Sequence, residues 1–230
     1  MRWSRICSAV AFLAAAAISR AAVDPVSAQA PRMDFVPPAP GTYQLQRIQL
    51  SPDGVLLDAQ ARPSRLSVHT TGKITLLTFF YTYCTDPWGC PFAYQTLTDL
   101  RERLVTDPRL AGRVRFVSVS FDPTNDTPAA LARYGGDLAN DARLEWSFLT
   151  ARSVDELLPV LEGFGQDVSV EVDAHGRSTR TMHHMLKLFL IDRHGIVREI
   201  YSLAFLQPQV MLNDIKTLAL EENTGLAAVR

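Results

Sequence analysis

The amino-acid sequence predicts the α/β fold class, with a mixed central sheet and helices on both of its faces. The first observation is the apolar, β-rich run Ile74–Phe80, which is typical of a strand covered on both faces. The second is the helical spacing of apolar residues between residues 93 and 104. The third is the pair of apolar runs 186–191 and 196–201, which flank a turn and predict a hairpin. A strand–helix series that ends in a hairpin requires a mixed sheet.

The first predicted elements are a small hairpin and the central strand. Residues 43–57 alternate weakly around the turn sequence 51–54 (SPDG), which suggests a hairpin at the start of the domain. After the strand Ile74–Phe80, Pro91 suits the first turn of a helix that runs to about Val105.

The next elements continue the alternation of strands and helices. Residues 114–120 form a strand, and Thr127 is the expected N-cap of a helix that begins at Pro128 and ends before Gly135. Residues 146–150 form a short strand. A capping box at Ser153 then starts a helix to about residue 163, in which Pro159 forces a kink or an early end.

The last predicted elements close the domain. Residues 165–182 form an excursion outside the core, the hairpin follows, and residues 208–220 have the spacing of a closing helix. This order is that of a thioredoxin-like fold with an added N-terminal hairpin.

Composition and charge exclude some classes of protein. The chain has 230 residues, of which 47% are hydrophobic and 20% are charged, so it is globular and not disordered. Its formal net charge of -1 gives no basic footprint for a nucleic acid, which is therefore not an expected partner.

The N-terminal segment predicts export. Arg2 and Arg5 precede a short apolar run at 6–18, and small residues lead to a cleavage site after Ala28. Residues 1–28 are therefore a predicted signal peptide, and an uncleaved membrane anchor is the alternative. Residues 29–41 form a proline-rich tether, 42–222 the folded domain and 223–230 a C-terminal tail. The predicted location is the periplasm, with membrane tethering if the N-terminus is retained.

The two cysteines of the mature chain lie in the connection between the central strand and its helix. Ligands of open α/β sheets gather at this position, where strands end. Cys90 immediately precedes the helix, whose N-terminus favours a thiolate, so Cys90 is expected to be more acidic than Cys84. A thiolate serves as nucleophile or as metal ligand, and a stabilising disulfide is the structural alternative in an oxidising compartment.

Four motifs, in this order along the chain, resemble the SCO1/SenC family. They are residues 80–84 (FYTYC), Cys90 with Pro91, residues 117–128 (VSVSFDPTNDTP), and His184 followed by 189–192 (FLID) and Gly195. Members of that family are exported or membrane-tethered thioredoxin-fold proteins that bind copper through two cysteines and one histidine. They support assembly of the binuclear copper site of cytochrome c oxidase, and some act as thiol–disulfide reductants instead.

The resemblance implies that Cys84, Cys90 and His184 bind copper. It also implies two kinds of partner: a copper-accepting oxidase subunit or other periplasmic copper protein, and a thiol–disulfide reductant. The chain departs from the family in having two extra residues between its cysteines, and His183 stands where aspartate is common. Adjacent side chains of an extended segment point to opposite faces, so at most one of the two histidines should face the cysteines.

The donor set favours copper over zinc. Two thiolates and one imidazole suit Cu(I), whereas a structural zinc site normally has a fourth protein ligand. Met182 and Met185 are either thioether ligands or core residues, and Asp122 is either an acidic neighbour of the site or a turn residue. Trp88 either covers the site or contacts a partner.

The sequence leaves two main functions open. The first is a copper-binding assembly factor, and the second is a thiol–disulfide oxidoreductase with Cys84 and Cys90 as its redox-active pair. A peroxidase is a weaker third alternative.

Overall fold

The computed structural model describes residues 33–223. The predicted signal peptide, the first residues of the tether and the C-terminal tail after Asn223 lie outside the described residues. Within residues 33–223, no helix combines the length and the apolar character needed to cross a membrane.

The domain is built from ten strands and five helices within the described residues. The strands are β1 Gln49–Leu50, β2 Val55–Leu57, β3 Pro63–Arg65, β4 Ile74–Phe80, β5 Val114–Ser120, β6 Trp146–Leu149, β7 Val168–Val172, β8 Ser178–His184, β9 Lys187–Ile191 and β10 Ile196–Ser202. The helices are α1 Leu66–Thr70, α2 Cys90–Val105, α3 Pro128–Ala139, α4 Val154–Gly163 and α5 Pro208–Asn223, with a single 3-10 turn at Leu203–Phe205.

A six-stranded mixed sheet in the order β1-β10-β9-β4-β5-β6 forms the centre of the domain. Strands β4, β5 and β6 are parallel, whereas β9 is antiparallel to β4 and β10 is antiparallel to β9. Every residue of β4 and β5 is buried, which confirms the expectation from their continuous apolar pattern. Helices α2 and α5 pack against each other, and α3 packs against β6.

The antiparallel pairing of β9 with β4 determines where functional residues can meet. Thr78, near the end of β4, pairs with Leu188, near the start of β9. The loop that leaves β4 and the segment that enters β9 therefore lie at the same end of the sheet. The first of these carries the two cysteines and the second carries the histidines.

The N-terminal hairpin exists, but its strands are not the predicted ones. Strand β1 joins the edge of the main sheet through β10, and the hairpin consists of β2 and β3. The turn at 51–54 leads the chain from β1 at the sheet edge to the hairpin of β2 and β3. The Asp53 carboxylate in this turn accepts the backbone N–H of Ser67 at 2.9 Å and binds Arg65, which holds the turn against the hairpin. Asp53 thereby also fixes the start of α1, a short helix that the sequence pattern did not predict.

Two helices differ from their predicted forms. Helix α3 does not end before Gly135 but continues to Ala139 across a kink at Gly136, which has a φ of 47°. Gly135 instead allows a close approach, since a Cβ atom there would lie 2.7 Å from the ring of Phe148 on β6. Helix α4 begins at the predicted cap, where the Ser153 hydroxyl accepts the N–H of Glu156, and it continues through Pro159 to residue 163 without an early end.

The predicted excursion is a separate two-stranded ribbon, β7 and β8. Its register pairs Val168 with His184 and Ser169 with His183. Because β8 ends at His184 and β9 begins at Lys187, the ribbon delivers the histidines to the end of the sheet where the cysteines lie.

Candidate metal and thiol site

The two cysteines lie on either side of a tight loop between β4 and α2. Cys84 is partly exposed in this loop, and Cys90 is the buried first residue of α2, with 3% exposure. Both are free thiols. Gly89, the N-cap of α2, allows the loop to fold back, because a Cβ atom there would lie only 3.3 Å from the Cys84 sulfur.

His184 is the histidine that faces the cysteines. Its Nε2 atom lies 3.8 Å from the Cys90 sulfur, and its Nδ1 atom lies 3.2 Å from the backbone carbonyl of Met182. A carbonyl only accepts hydrogen bonds, so Nδ1 carries the ring proton and the Nε2 lone pair faces the thiol. The ring packs against Phe121 and Tyr81, at centroid distances of 4.8 and 6.0 Å, which fixes its orientation.

The two thiols have opposite electrostatic environments. Hydrogen bonding by the Cys90 thiol, together with the backbone of Cys90, the Tyr81 hydroxyl and the backbone of Asp86, lowers the pKa of Cys84 to about 5, although burial opposes the shift. The same contact with Cys84, together with burial, raises the pKa of Cys90 well above its ordinary range. Cys84 is therefore the more acidic thiol of the pair, and Cys90 the less acidic one.

The prediction that Cys90 is the more acidic thiol is wrong. It assumed that the N-terminus of α2 stabilises the cysteine attached to it. The backbone of Cys90 in fact contacts both sulfurs, and the difference between the thiols comes from the hydrogen bond between them and from the deeper burial of Cys90. The start of the helix thus favours a thiolate at either sulfur, and burial disfavours the charge at Cys90.

The alternation of β8 places the other histidine away from the cysteines. His183 is exposed and lies opposite Ser169 of the ribbon, whereas His184 is partly buried. Met182 packs against the hydrophobic core and contacts His184 through its carbonyl rather than its thioether. Met185 is 63% exposed.

Asp122 and Trp88 have roles beside the site rather than in it. Asp122 is buried, and its carboxylate accepts the Tyr83 hydroxyl and the side-chain amide of Asn125. Trp88 is 43% exposed and contacts the ring of Phe92. The Trp88 side chain also borders a cavity of about 540 Å³ that is lined by His184.

Sequence reasoning did not identify two further residues of this site, Tyr81 and Asp126. Tyr81 precedes the cysteines in the FYTYC motif, where an aromatic residue at the end of a strand indicates core packing. Asp126 lies in a segment that reads as turn and cap chemistry. Only the folded contacts show that the Tyr81 hydroxyl reaches Cys84 and that Asp126 binds Thr82.

The donor chemistry of Cys84, Cys90 and His184 fits a soft metal ion, since it offers two sulfurs and one imidazole nitrogen. Cys90 contacts each of the other two residues. Nevertheless, in the part of the chain that the structure describes, no three histidine, cysteine or acidic side chains lie together closely enough to hold a metal ion.

The fold and this arrangement define a thioredoxin-like protein with a cysteine pair and a histidine at one end of its sheet. The chain belongs to the SCO1/SenC family, whose model matches residues 55–220. No curated protein matches the sequence.

Several solved structures are similar to this chain. The apo Sco1 protein from Thermus thermophilus is 25% identical with a TM-score of 0.61, and the match covers 77% of this chain and 95% of that one. ScoI from Bradyrhizobium japonicum, described with copper bound, is 23% identical with a TM-score of 0.57, over 73% of this chain and 98% of that one. BsSco, described as a member of the Sco family of cytochrome c oxidase assembly proteins with a disulfide switch, is 23% identical with a TM-score of 0.56. The match covers 77% of this chain and 98% of that one.

Proposed function

We propose that this protein is an exported copper carrier that delivers copper to, or prepares, the binuclear copper site of a respiratory oxidase. Membership of the SCO1/SenC family supports this function, as do the relatives described with copper bound and with a role in oxidase assembly. The N-terminal sequence pattern supports export. The observation that carries the proposal is the contact between the Cys90 sulfur and His184 Nε2, because thiol–disulfide exchange alone does not need an imidazole there.

Cys84, Cys90 and His184 are the proposed copper ligands. The Met182 carbonyl holds the proton of His184 on Nδ1, and such a partner typically orients a metal-binding imidazole. Cys84 is the more acidic of the two thiols, and Cys90 must lose its proton when the metal binds. We expect one proton to be released for each copper ion bound near neutral pH.

The partners of the proposed carrier follow from its chemistry. One is a copper-accepting oxidase subunit or another periplasmic copper protein, which receives the ion. The other is a thiol–disulfide reductant, because oxidation of the two free thiols to a disulfide would remove two of the three ligands.

A thiol–disulfide oxidoreductase is the second candidate function, and the asymmetry of the two thiols favours it. Cys84 is acidic and partly exposed, as an attacking thiolate should be, and Cys90 is buried beside it in the position of a resolving thiol. The five residues between the cysteines, where such enzymes usually have two, make a fast resolving step harder to arrange.

Anaerobic titration of the reduced mature protein with Cu(I), against a competing chelator, tests the copper function. The wild type should bind one ion, and Cys84→Ser or Cys90→Ser should abolish tight binding. His184→Ala should weaken binding by about tenfold or more. His183→Ala is the matched control and should bind as the wild type does, because this side chain points away from the cysteines.

Reduction of a protein disulfide by the same variants separates the two functions. A copper carrier needs His184, and an oxidoreductase does not. Equal copper binding by the wild type and the Cys84→Ser/Cys90→Ser double variant would refute the proposed ligand set. A wild type that binds no copper but reduces disulfides, with full activity retained in His184→Ala, would favour the oxidoreductase.

A further inference from the structure

Asp126 is a fully buried carboxylate, with 0% exposure, that neither candidate function has used so far. Its Oδ2 atom accepts the backbone N–H of Thr82 at 2.9 Å and the hydroxyl of Ser120 at 2.6 Å. Its Oδ1 atom accepts the hydroxyl of Thr82 at 2.5 Å. Both carboxylate oxygens thus accept hydrogen bonds, one set from the loop that follows β4 and one from the end of β5.

Burial of the Asp126 carboxylate costs free energy, which is unusual for a turn residue. Transfer of a carboxylate from water to a protein interior requires compensation by strong hydrogen bonds or a cation. Among the ion pairs of residues 33–223, none includes Asp126 or its neighbour Asp122. Asp126 is held by three hydrogen bonds, and two of them come from one residue, Thr82.

Thr82 lies two positions before Cys84, in the loop that folds over the start of α2. The next residue, Tyr83, donates its hydroxyl to Asp122. The Asp126 backbone N–H in turn donates to the Asp122 carbonyl at 2.8 Å, so the two carboxylates belong to one tight turn. This turn holds consecutive residues of the cysteine loop on the side of the chain that precedes Cys84.

We propose that Asp126 is the positioning residue of the thiol pair: its carboxylate fixes Thr82 and thereby holds the sulfur of Cys84 against Cys90. Without this restraint, the loop of residues 81–89 keeps its connections to β4 and α2 but loses the bonds that fix its path at Thr82. The position of Cys84, and with it the convergence of the two sulfurs, then becomes variable. The inference rests on the proposed function only for the nature of the ligand, a soft metal cation. The contact between the two thiols is present without any metal ion.

Asp126→Ala and Asp126→Asn form the informative pair of variants. Alanine removes all three hydrogen bonds. Asparagine has the same shape and can keep its oxygen toward the Thr82 N–H, while its amide group donates to the Thr82 hydroxyl. Asp126→Asn should therefore retain most of the positioning that Asp126→Ala loses.

The first measurement is independent of copper. The reduced protein is treated with iodoacetamide, and the alkylation rates of Cys84 and Cys90 are followed separately by mass spectrometry. Wild type and Asp126→Asn should give the same excess of Cys84 over Cys90, because Cys84 is partly exposed and Cys90 is buried. Asp126→Ala should change that ratio, because the loop that places Cys84 is no longer held at Thr82. An unchanged ratio in a folded Asp126→Ala protein would overturn the proposal.

The second measurement is the affinity for Cu(I) against a competing chelator. Asp126→Ala should lower it by about tenfold or more. If the wild type binds no copper, the proposed function fails, and the alkylation ratio still decides the positioning role.

Two controls separate positioning from general loss of stability. Asp214→Ala removes another buried carboxylate, which binds Tyr43 and Tyr201 away from the cysteine loop, and it should lower the melting temperature without changing the alkylation ratio.

A second pair of variants covers the case in which Asp126→Ala does not fold. Thr82→Val removes only the hydroxyl bond to Asp126, and Thr82→Ser keeps that bond and should behave as the wild type. A change in the ratio with Asp214→Ala, or no difference between the two Thr82 variants, would contradict the proposal.

Discussion

The Nε2 atom of His184 lies 3.8 Å from the sulfur of Cys90, although 94 residues separate the two in the chain. The pairing of β4 with β9 brings them to the same end of the sheet, and the Met182 carbonyl turns the imidazole lone pair toward the thiol. Cys84 contacts Cys90 as well. Cys90 is therefore the central residue of the candidate site.

The reduced protein should become more stable as the pH rises from about 5 to about 9, through Cys84. Folding lowers the pKa of this thiol from 9.0 to about 5, so its contribution is fully present above the unfolded value and is lost as the pH falls through the folded one. The gain ends near 9.0, where the thiol is ionised in the unfolded chain as well, and above that pH the raised pKa of Cys90 acts in the opposite sense. Urea denaturation in the presence of reductant, with Cys84→Ser as the reference, measures this difference. A difference that does not vary with pH would contradict the assignment.

Tyr81→Phe should make Cys84 less acidic. Burial and the contact with Cys84 raise the pKa of Tyr81 to about 12, and the hydroxyl stays protonated as a donor to the sulfur. Loss of this donor should move the pH dependence of Cys84 alkylation to higher pH. Tyr94→Phe is the control, because only burial shifts the pKa of Tyr94. Identical pH profiles for the wild type and Tyr81→Phe would exclude the hydrogen bond.

Gly135→Ala should destabilise the fold by about 1–3 kcal/mol, as overpacking of a filled core does. A Cβ atom at this position would lie 2.7 Å from the Phe148 ring, so α3 must move away from β6. Chemical denaturation measures the loss. Ala132→Ser, at an exposed position of the same helix, should change the stability by less than about 0.5 kcal/mol. Equal stabilities of the two variants would show that the helix can shift freely.

The exported protein should begin near Gln29. A positive segment, a short apolar run and small residues before the cut predict cleavage after Ala28. Mass spectrometry of the natively produced protein checks the new N-terminus. An intact N-terminus in the membrane fraction would replace the cleaved form with an anchored one.

The sheet was predictable from sequence, whereas the path of the N-terminal segment was not. Strands β4 and β5 are apolar throughout because both faces are covered, and such runs have few other interpretations. The turn at 51–54 has the same local chemistry whether it joins two paired strands or, as here, leads from the sheet edge to a second hairpin. Asp53 decides between them through Ser67, which is 14 residues away.

The residue types of the candidate site were predictable, but their electrostatics were not. Motif order singled out Cys84, Cys90 and His184, and strand alternation allowed only one of the two histidines to face the cysteines. The relative acidity of the thiols depends on the hydrogen bond between them and on which sulfur is the more buried, and both are properties of the folded loop. The role of Asp126 depends likewise on Thr82, which is 44 positions distant.

Because β9 pairs with β4 only after the intervening chain has folded, the His184 imidazole reaches the cysteines late in folding. The chain is synthesised from its N-terminus, so both cysteines emerge well before the ribbon and β9. Contacts across 94 residues carry a large loop-closure cost and form slowly compared with local ones. During that interval the nascent chain carries a pair of thiols with no histidine beside them, open to any oxidant it meets. A cell that needs the pair reduced must therefore protect or repair it before the domain has closed.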